Sequence, residues 1–209
     1  MMAIEKFLLV DVAVLFLGLA CLWSMNKMEV LPSYLGKLND KKILDQTSTS
    51  LPRLEELLKF ELASKKAGSG IQFDALIGLW KFVYVWKQGT DKEDLLSSSL
   101  LRLFSASLEL KKNQASEQLS RFEISNSIQF GPLLLSFIGS GELKGSQPLL
   151  PFFFERIELK FGRSVLISRS LVVPDEINRP FFALIAMEED GRWLAARGRG
   201  GGLAIWLRD

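Results

Sequence analysis

Few residues in this 209-residue chain are equipped for chemistry. Histidine is absent and cysteine occurs once, at Cys21. Without histidine there is no Ser-His-Asp or Cys-His nucleophile, no His-bearing metal site and no ordinary general base near neutral pH. One thiol excludes an intramolecular disulfide and a cysteine-built metal site. Carboxylate, lysine and tyrosine chemistry stays open in principle, but no arrangement in the sequence recommends it, so the chain reads as a non-enzyme without a cofactor. The segment Gly139-Ser140-Gly141-Glu142-Leu143-Lys144-Gly145 lacks the spacing and the strand–turn–helix setting of a dinucleotide fingerprint. Arg197-Gly198-Arg199-Gly200-Gly201-Gly202 has the composition of an RGG-type nucleic-acid element. It reads better as a hairpin turn, where glycines supply positive φ. A formal net charge of +2 gives no electrostatic footprint for nucleic acid.

Aromatic surface is what remains. In Ile77–Trp86 the even positions Gly78, Trp80, Phe82, Tyr84 and Trp86 share one face of an extended strand, and Leu79, Val83 and Val85 lie on the other. Such a strand belongs in the wall of a barrel or the inside of a sandwich. Trp80, Phe82, Tyr84, Phe104, Phe130, Phe137 and Trp193 are the candidates to line an apolar cavity, with plain barrel core as the alternative. Arg197 and Arg199, beside the glycine turn, are placed to meet a polar end at the mouth. Within Phe152-Phe153-Phe154 at least one ring must leave the inner face, toward lipid, a partner or a covering helix.

The elements that must position these residues follow from periodicity. Residues 7–23 are apolar apart from Asp11, about the shortest run that spans a bilayer. Asp11 would cost roughly 2.5–3.5 kcal/mol at the bilayer centre, and less one turn in from the edge. Residues 1–30 therefore read as a membrane anchor, a buried or amphipathic core helix being the alternative; a cleaved signal peptide fits less well, because the residues before the run are not net basic. Residues 31–50, with Pro32, Gly36 and Thr47-Ser48-Thr49-Ser50, read as a polar linker. Residues 51–66 read as a helix with Leu54, Leu57, Leu58 and Leu62 on one stripe and Ser50 as N-cap.

From residue 76 onward the pattern is β. Phe122, Ile124, Ile128 and Phe130 alternate with polar residues, only Asn126 breaking the series. Leu133–Leu143, with Gly139 and Gly141 marking a bend or bulge, Arg156–Phe161, Ser164–Ser170, Phe181–Met187, Arg192–Arg197 and Leu203–Arg208 follow. About eight strands after one helix, joined by short turns, manage their edges most simply by closing into a barrel.

These motifs together carry a resemblance. The first-strand run Leu76–Trp80 with Tyr84, Phe122–Ile128, Phe154–Phe161 and above all Gly191–Arg208 make residues 51–209 resemble the plastid lipid-associated protein (fibrillin) family. The resemblance implies a mainly β fold, a lipocalin-like up-and-down β-barrel behind one amphipathic helix. It implies binding of a neutral lipid, quinone or isoprenoid without catalysis, at a thylakoid or plastoglobule membrane. An interaction protein with a filled barrel, docking a membrane enzyme or photosystem component, is the rival reading. A lipocalin-like barrel further implies that Trp80 packs against a late arginine, Arg197 or Arg208. Val85-Trp86 stands where the family commonly has Thr-Ser after the tyrosine, and no transit peptide is evident. A cyanobacterial member, or a plastid protein lacking its transit peptide, fits both departures.

Overall fold

A computed structural model describes residues 51–87, 101–102, 105–113, 120–145 and 148–209. The anchor and linker expected over residues 1–50, and Phe104, lie outside the described residues. Among the described residues no helix is long and apolar enough to cross a membrane.

The first described elements are α1 (Leu54–Ala67) and a short α2 (Phe73–Leu76). Glu55 and Glu56 in the first turn of α1 and Lys65 and Lys66 in the last complement its macrodipole. The backbone N–H of Arg53 donates to the Glu56 carboxylate at 2.8 Å, and the helix stops at Gly68, whose N–H donates to the Ser64 carbonyl. Arg53, rather than the expected Ser50, is thus the N-cap residue.

Among the described residues nine antiparallel strands follow: β1 (Gly78–Trp86), β2 (Ser107–Lys112), β3 (Arg121–Phe130), β4 (Leu133–Glu142), β5 (Leu149–Phe161), β6 (Ser164–Ser170), β7 (Phe181–Met187), β8 (Trp193–Gly198) and β9 (Leu203–Arg208). β1 pairs with both β2 and β9, and β4 pairs with β5, so eight strands ring round in the order β1-β2-β3-β4-β5-β7-β8-β9. β6 stands outside the ring. It and β7 occupy the same edge of β5 in succession: β7 pairs with Leu149–Pro151 and β6 with Arg156–Phe161. The long β5 was legible only in its second half. Its first half, Leu149-Leu150-Pro151-Phe152-Phe153-Phe154, is apolar throughout and shows no period of two.

Bulges decide which side chains face inward. In β1, Phe82 opposes Trp206 and Tyr84 opposes Ile205, so Val83 is an extra residue. One extra residue transfers every later side chain to the other face. Trp80 and Phe82 therefore share the inner face, while Tyr84 and Trp86 lie with Ile205 and Leu203 on the outer one. This corrects the expectation of a single aromatic face from Gly78 to Trp86. A second bulge, at Glu155 in β5, sits opposite Ile138-Gly139, where the glycines of β4 led one to expect it.

Candidate functional site

The inner wall is built from β positions that register brings together. Phe137 of β4 lies 5.6 Å from Phe154 between ring centroids, and Phe154 lies 5.4 Å from Phe152. Phe152 stacks on Phe182 at 5.0 Å, Phe182 meets Trp206 edge-on at 5.5 Å, and Trp206 meets Phe82 edge-on at 5.9 Å. Six rings from five strands thus run in contact around the inside. Small residues make room for them: Gly139 and Gly141 of β4 oppose Phe154 and Phe152, and Ala196 opposes Ala204 where Trp206 and Phe182 meet. Offset and edge-on pairs at these separations add about 0.5–1.5 kcal/mol each to the apolar burial.

Among the described residues of the ring strands, one polar side chain interrupts this lining. Asn126 is paired with Leu108 on one side and Phe137 on the other, both buried, so its amide belongs to the inner face. Its side chain has no hydrogen-bond partner among the described residues. The break in alternation that Asn126 makes in the sequence is therefore a real feature of the interior.

One end of the ring is shut. Trp80 is fully buried, and its indole N–H donates to the Leu76 carbonyl at 2.8 Å. The Arg208 guanidinium lies 4.2 Å from the Trp80 ring centroid and donates to the carbonyls of Ala75, Ile77 and Gly191. Of the two arginines expected against Trp80, Arg208 is the one present. Gly78, at φ 143°, leaves space for that guanidinium: a Cβ there would come within 2.9 Å of its nitrogen. Phe73 of α2 stacks on the buried Phe122 at 4.3 Å and completes the closure.

The remaining candidates fall elsewhere. Trp193 and Arg197 lie on the outer face of β8, beneath α1, because Trp193, Ala195 and Arg197 alternate with the inward Leu194 and Ala196. Trp193 meets Phe60 at 6.4 Å. Arg197 forms a two-pronged pair with Glu61, Nε to Oε1 at 2.7 Å and Nη2 to Oε2 at 2.5 Å, and donates to the Gly201 carbonyl. Arg197 is thus engaged by Glu61 and the Gly201 carbonyl, and bolts the helix to the wall. Tyr84, also outward, packs against Arg102 at 5.3 Å. Arg199 sits beside the glycine turn as expected, yet its guanidinium donates to the carbonyls of Ile177 and Arg179 and braces the segment between β6 and β7. Phe130 lies past the last closed row, 45% exposed. Of the expected lining, Trp80, Phe82 and Phe137 are brought together on the inner face.

Phe152, Phe154, Phe182 and Trp206 escaped the sequence reading as lining. In β7 and β9 both faces are apolar, since one fills the ring and the other meets α1 or outer neighbours, so no alternation distinguishes them. Phe153 is the ring that leaves the inner face, and it lies under Arg179 at 4.6 Å rather than under α1. The helix covers β7 and β8 instead. Its contact stripe also differs from the leucine pattern: Leu57 and Glu61 are buried while Leu58 and Leu62 are exposed.

The Arg197 guanidinium, hydrogen-bonded to Glu61, holds that carboxyl below its ordinary value of 4.5, against a desolvation penalty that pushes the other way; Lys65 adds to the lowering. Since the folded value is depressed, the pair's stabilisation is present in full above the unfolded-state value and disappears as pH falls through the folded one. Glu61→Ala is expected to cost about 3 kcal/mol at pH 7, by stranding a half-buried arginine. Denaturant titrations at pH 7 and pH 3.5 check this. Wild type should lose more stability on acidification than Glu61→Gln, and equal losses would reject the assignment.

No protein-family model matches the sequence, and no curated protein matches it.

Proposed function

We propose that this protein is a non-catalytic binder of a neutral lipid, quinone or isoprenoid, held in the ring of strands at a thylakoid or plastoglobule membrane. The observation that carries the reading is the inner wall. Among the described residues of the eight ring strands, register positions between the Trp80 plug and the opposite end are apolar and aromatic, with Asn126 as the polar exception. Burying an anionic headgroup against such a lining costs several kcal/mol without compensation, which disfavours charged ligands. A long uncharged molecule suits the lining, and one carbonyl or hydroxyl can accept from or donate to the Asn126 amide. The resemblance of residues 51–209 to the plastid lipid-associated proteins points the same way.

The test is to extract purified full-length protein, identify co-purifying lipids by mass spectrometry, and titrate delipidated protein with a plastoquinone analogue and with short-chain phosphatidylglycerol while following tryptophan fluorescence. The quinone is expected to bind with an affinity unchanged at ~0.5 M salt, because screening barely touches buried apolar contacts. Asn126→Leu is expected to weaken quinone binding about 5–10-fold, the loss of one hydrogen bond, and to leave a pure hydrocarbon ligand unaffected. Salt-sensitive binding of the anionic lipid alone would overturn the reading.

The six rings in mutual contact also favour a second reading, a barrel filled by its own side chains that acts as a docking module for a membrane enzyme or photosystem component. In that case extraction yields no stoichiometric lipid and neither titrant changes the fluorescence.

A further inference from the structure

Four strands continue past the level at which the ring is closed. β3, β4, β5 and β6 carry the inner face outward, and β4 to β6 supply two apolar rows, Leu135–Leu159–Ile167 and Leu133–Phe161. Phe137, the first ring of the inner wall, precedes these rows on the same face of β4, so the apolar lining runs out of the barrel along β4 and β5, with Arg169 of β6 beside it opposite Ile157. There it is uncovered among the described residues: Phe161 is 54% and Ile167 47% exposed.

Three properties of the β5–β6 hairpin restrict what covers it. First, a bulge at Leu166 sets Val165 against Lys160 and Ile167 against Leu159, placing the two on opposite faces. Both are about half exposed, so the tip is apolar on both sides. A globular partner covers one face of a hairpin, whereas a lipid interface surrounds it. Second, residues 162–170 contain Arg163 and Arg169 and no acidic residue. Neither arginine forms an ion pair among the described residues. Edge-to-edge pairing of two β6 strands would gather four arginines with no counter-charge, which opposes a second copy and favours an anionic surface. Third, the outer edge of β6 is unpaired among the described residues. Its backbone N–H and C=O groups need water or headgroups, which limits insertion to the interfacial zone.

We propose that the β5–β6 hairpin and the apolar face behind it form a membrane-contact surface, seated at the headgroup–acyl boundary of a bilayer containing anionic lipid. The proposal rests on the reading of the protein as a lipid binder and adds the surface through which its ligand passes. Phe161 and Leu159 at the bilayer lead to Phe137 inside, so an apolar ligand moves along one continuous wall without crossing water.

The test uses the full chain with Cys21→Ser and a single new cysteine, Ile167→Cys, labelled with the environment-sensitive dye NBD. A second protein carries the label at Asp190→Cys, in the exposed turn before β8 at the Arg208 end. A site-specific label reports this surface even if residues 1–30 hold the protein on the vesicle. With phosphatidylcholine vesicles containing 30% phosphatidylglycerol, the label at 167 is expected to shift to the blue and to be quenched by nitroxide acyl chains. The label at 190 should respond to neither. Joint replacement Arg163→Glu and Arg169→Glu should abolish the phosphatidylglycerol dependence, a loss of about thirtyfold in apparent affinity of the hairpin for the surface.

No response at 167, or an equal response at 190, overturns the proposal. So does a response at 167 without vesicles that grows with protein concentration, which would mean self-association, or a response to soluble polyglutamate but not to vesicles, which would mean an acidic protein partner. Lipid co-purifying in the barrel together with a silent label at 167 would reject this surface while leaving the ligand reading standing.

Discussion

Trp80→Ala is expected to destabilise the protein by about 3–5 kcal/mol, the usual range for emptying a buried tryptophan site. Three losses coincide there. The indole fills the closed end with no exposed surface. Its N–H no longer satisfies the Leu76 carbonyl. The Arg208 guanidinium loses the ring beneath it and keeps only its carbonyl acceptors. Equilibrium denaturation of the full chain by guanidinium measures the change. Trp80→Phe, which keeps a ring but not the donor, should lose roughly half as much. A Trp80→Ala protein as stable as wild type would mean that this end is not held by the tryptophan.

Gly139→Ala should be the most damaging glycine-to-alanine change among the described residues. A Cβ at Gly139 would stand 1.9 Å from the carbonyl oxygen of Phe153 and 2.7 Å from the Cα of Phe154. Both are backbone atoms of the paired strand, held close by the bulge at Glu155, so no rotamer change relieves the contact. Overpacking of this kind costs about 1–3 kcal/mol where side chains can yield, and the upper end or beyond is expected where backbone must move. Gly141→Ala is the internal control. Its Cβ would meet the Phe152 Cβ at 3.3 Å and the Pro151 oxygen at 3.4 Å, a distance that a few tenths of an ångström relieve. A melting-temperature series on both variants checks the contrast, and equal effects would reject the steric account.

The sequence was legible where a strand has one wet face and one dry one. β3 alternates so cleanly that even the exception at Asn126 was visible, and the glycines of β4 marked a bulge that exists. It was illegible where both faces are dry or where one residue is added. Nothing in Phe82-Val83-Tyr84 distinguishes a bulge from a regular strand, because all three side chains are apolar or aromatic; the inversion there moved Tyr84 out of the candidate site. The helix stripe held at Leu57 and failed at Leu58 and Leu62 for a related reason. Apolar counting selected Leu58 and Leu62, whereas the buried position is taken by Glu61, a carboxylate whose reason for burial lies 136 residues away in Arg197. Arg197 and Trp193 were assigned to the ligand for want of that partner. Long-range pairing of opposite charges leaves no periodic trace, so neither half of the bolt could be read alone.

The junction of β5 with β7 differs from the other seams of the wall. β3 and β4 are paired over ten residue positions and β4 and β5 over nine, but among the described residues β5 meets β7 through only Leu149, Leu150 and Pro151, with a single further hydrogen bond beyond each end. Proline contributes no N–H, so this ladder is thin as well as short. A cylinder stitched unevenly does not breathe uniformly; it unzips along its shortest row of stitches, and backbone amides there exchange with solvent at the lowest opening free energy. Phe152 and Phe182 flank that row from the inside, stacked on each other. The tightest ring pair in the lining is thus a clasp across the weakest line in the wall, and parting those two rings turns a tube into a curved, slit sheet.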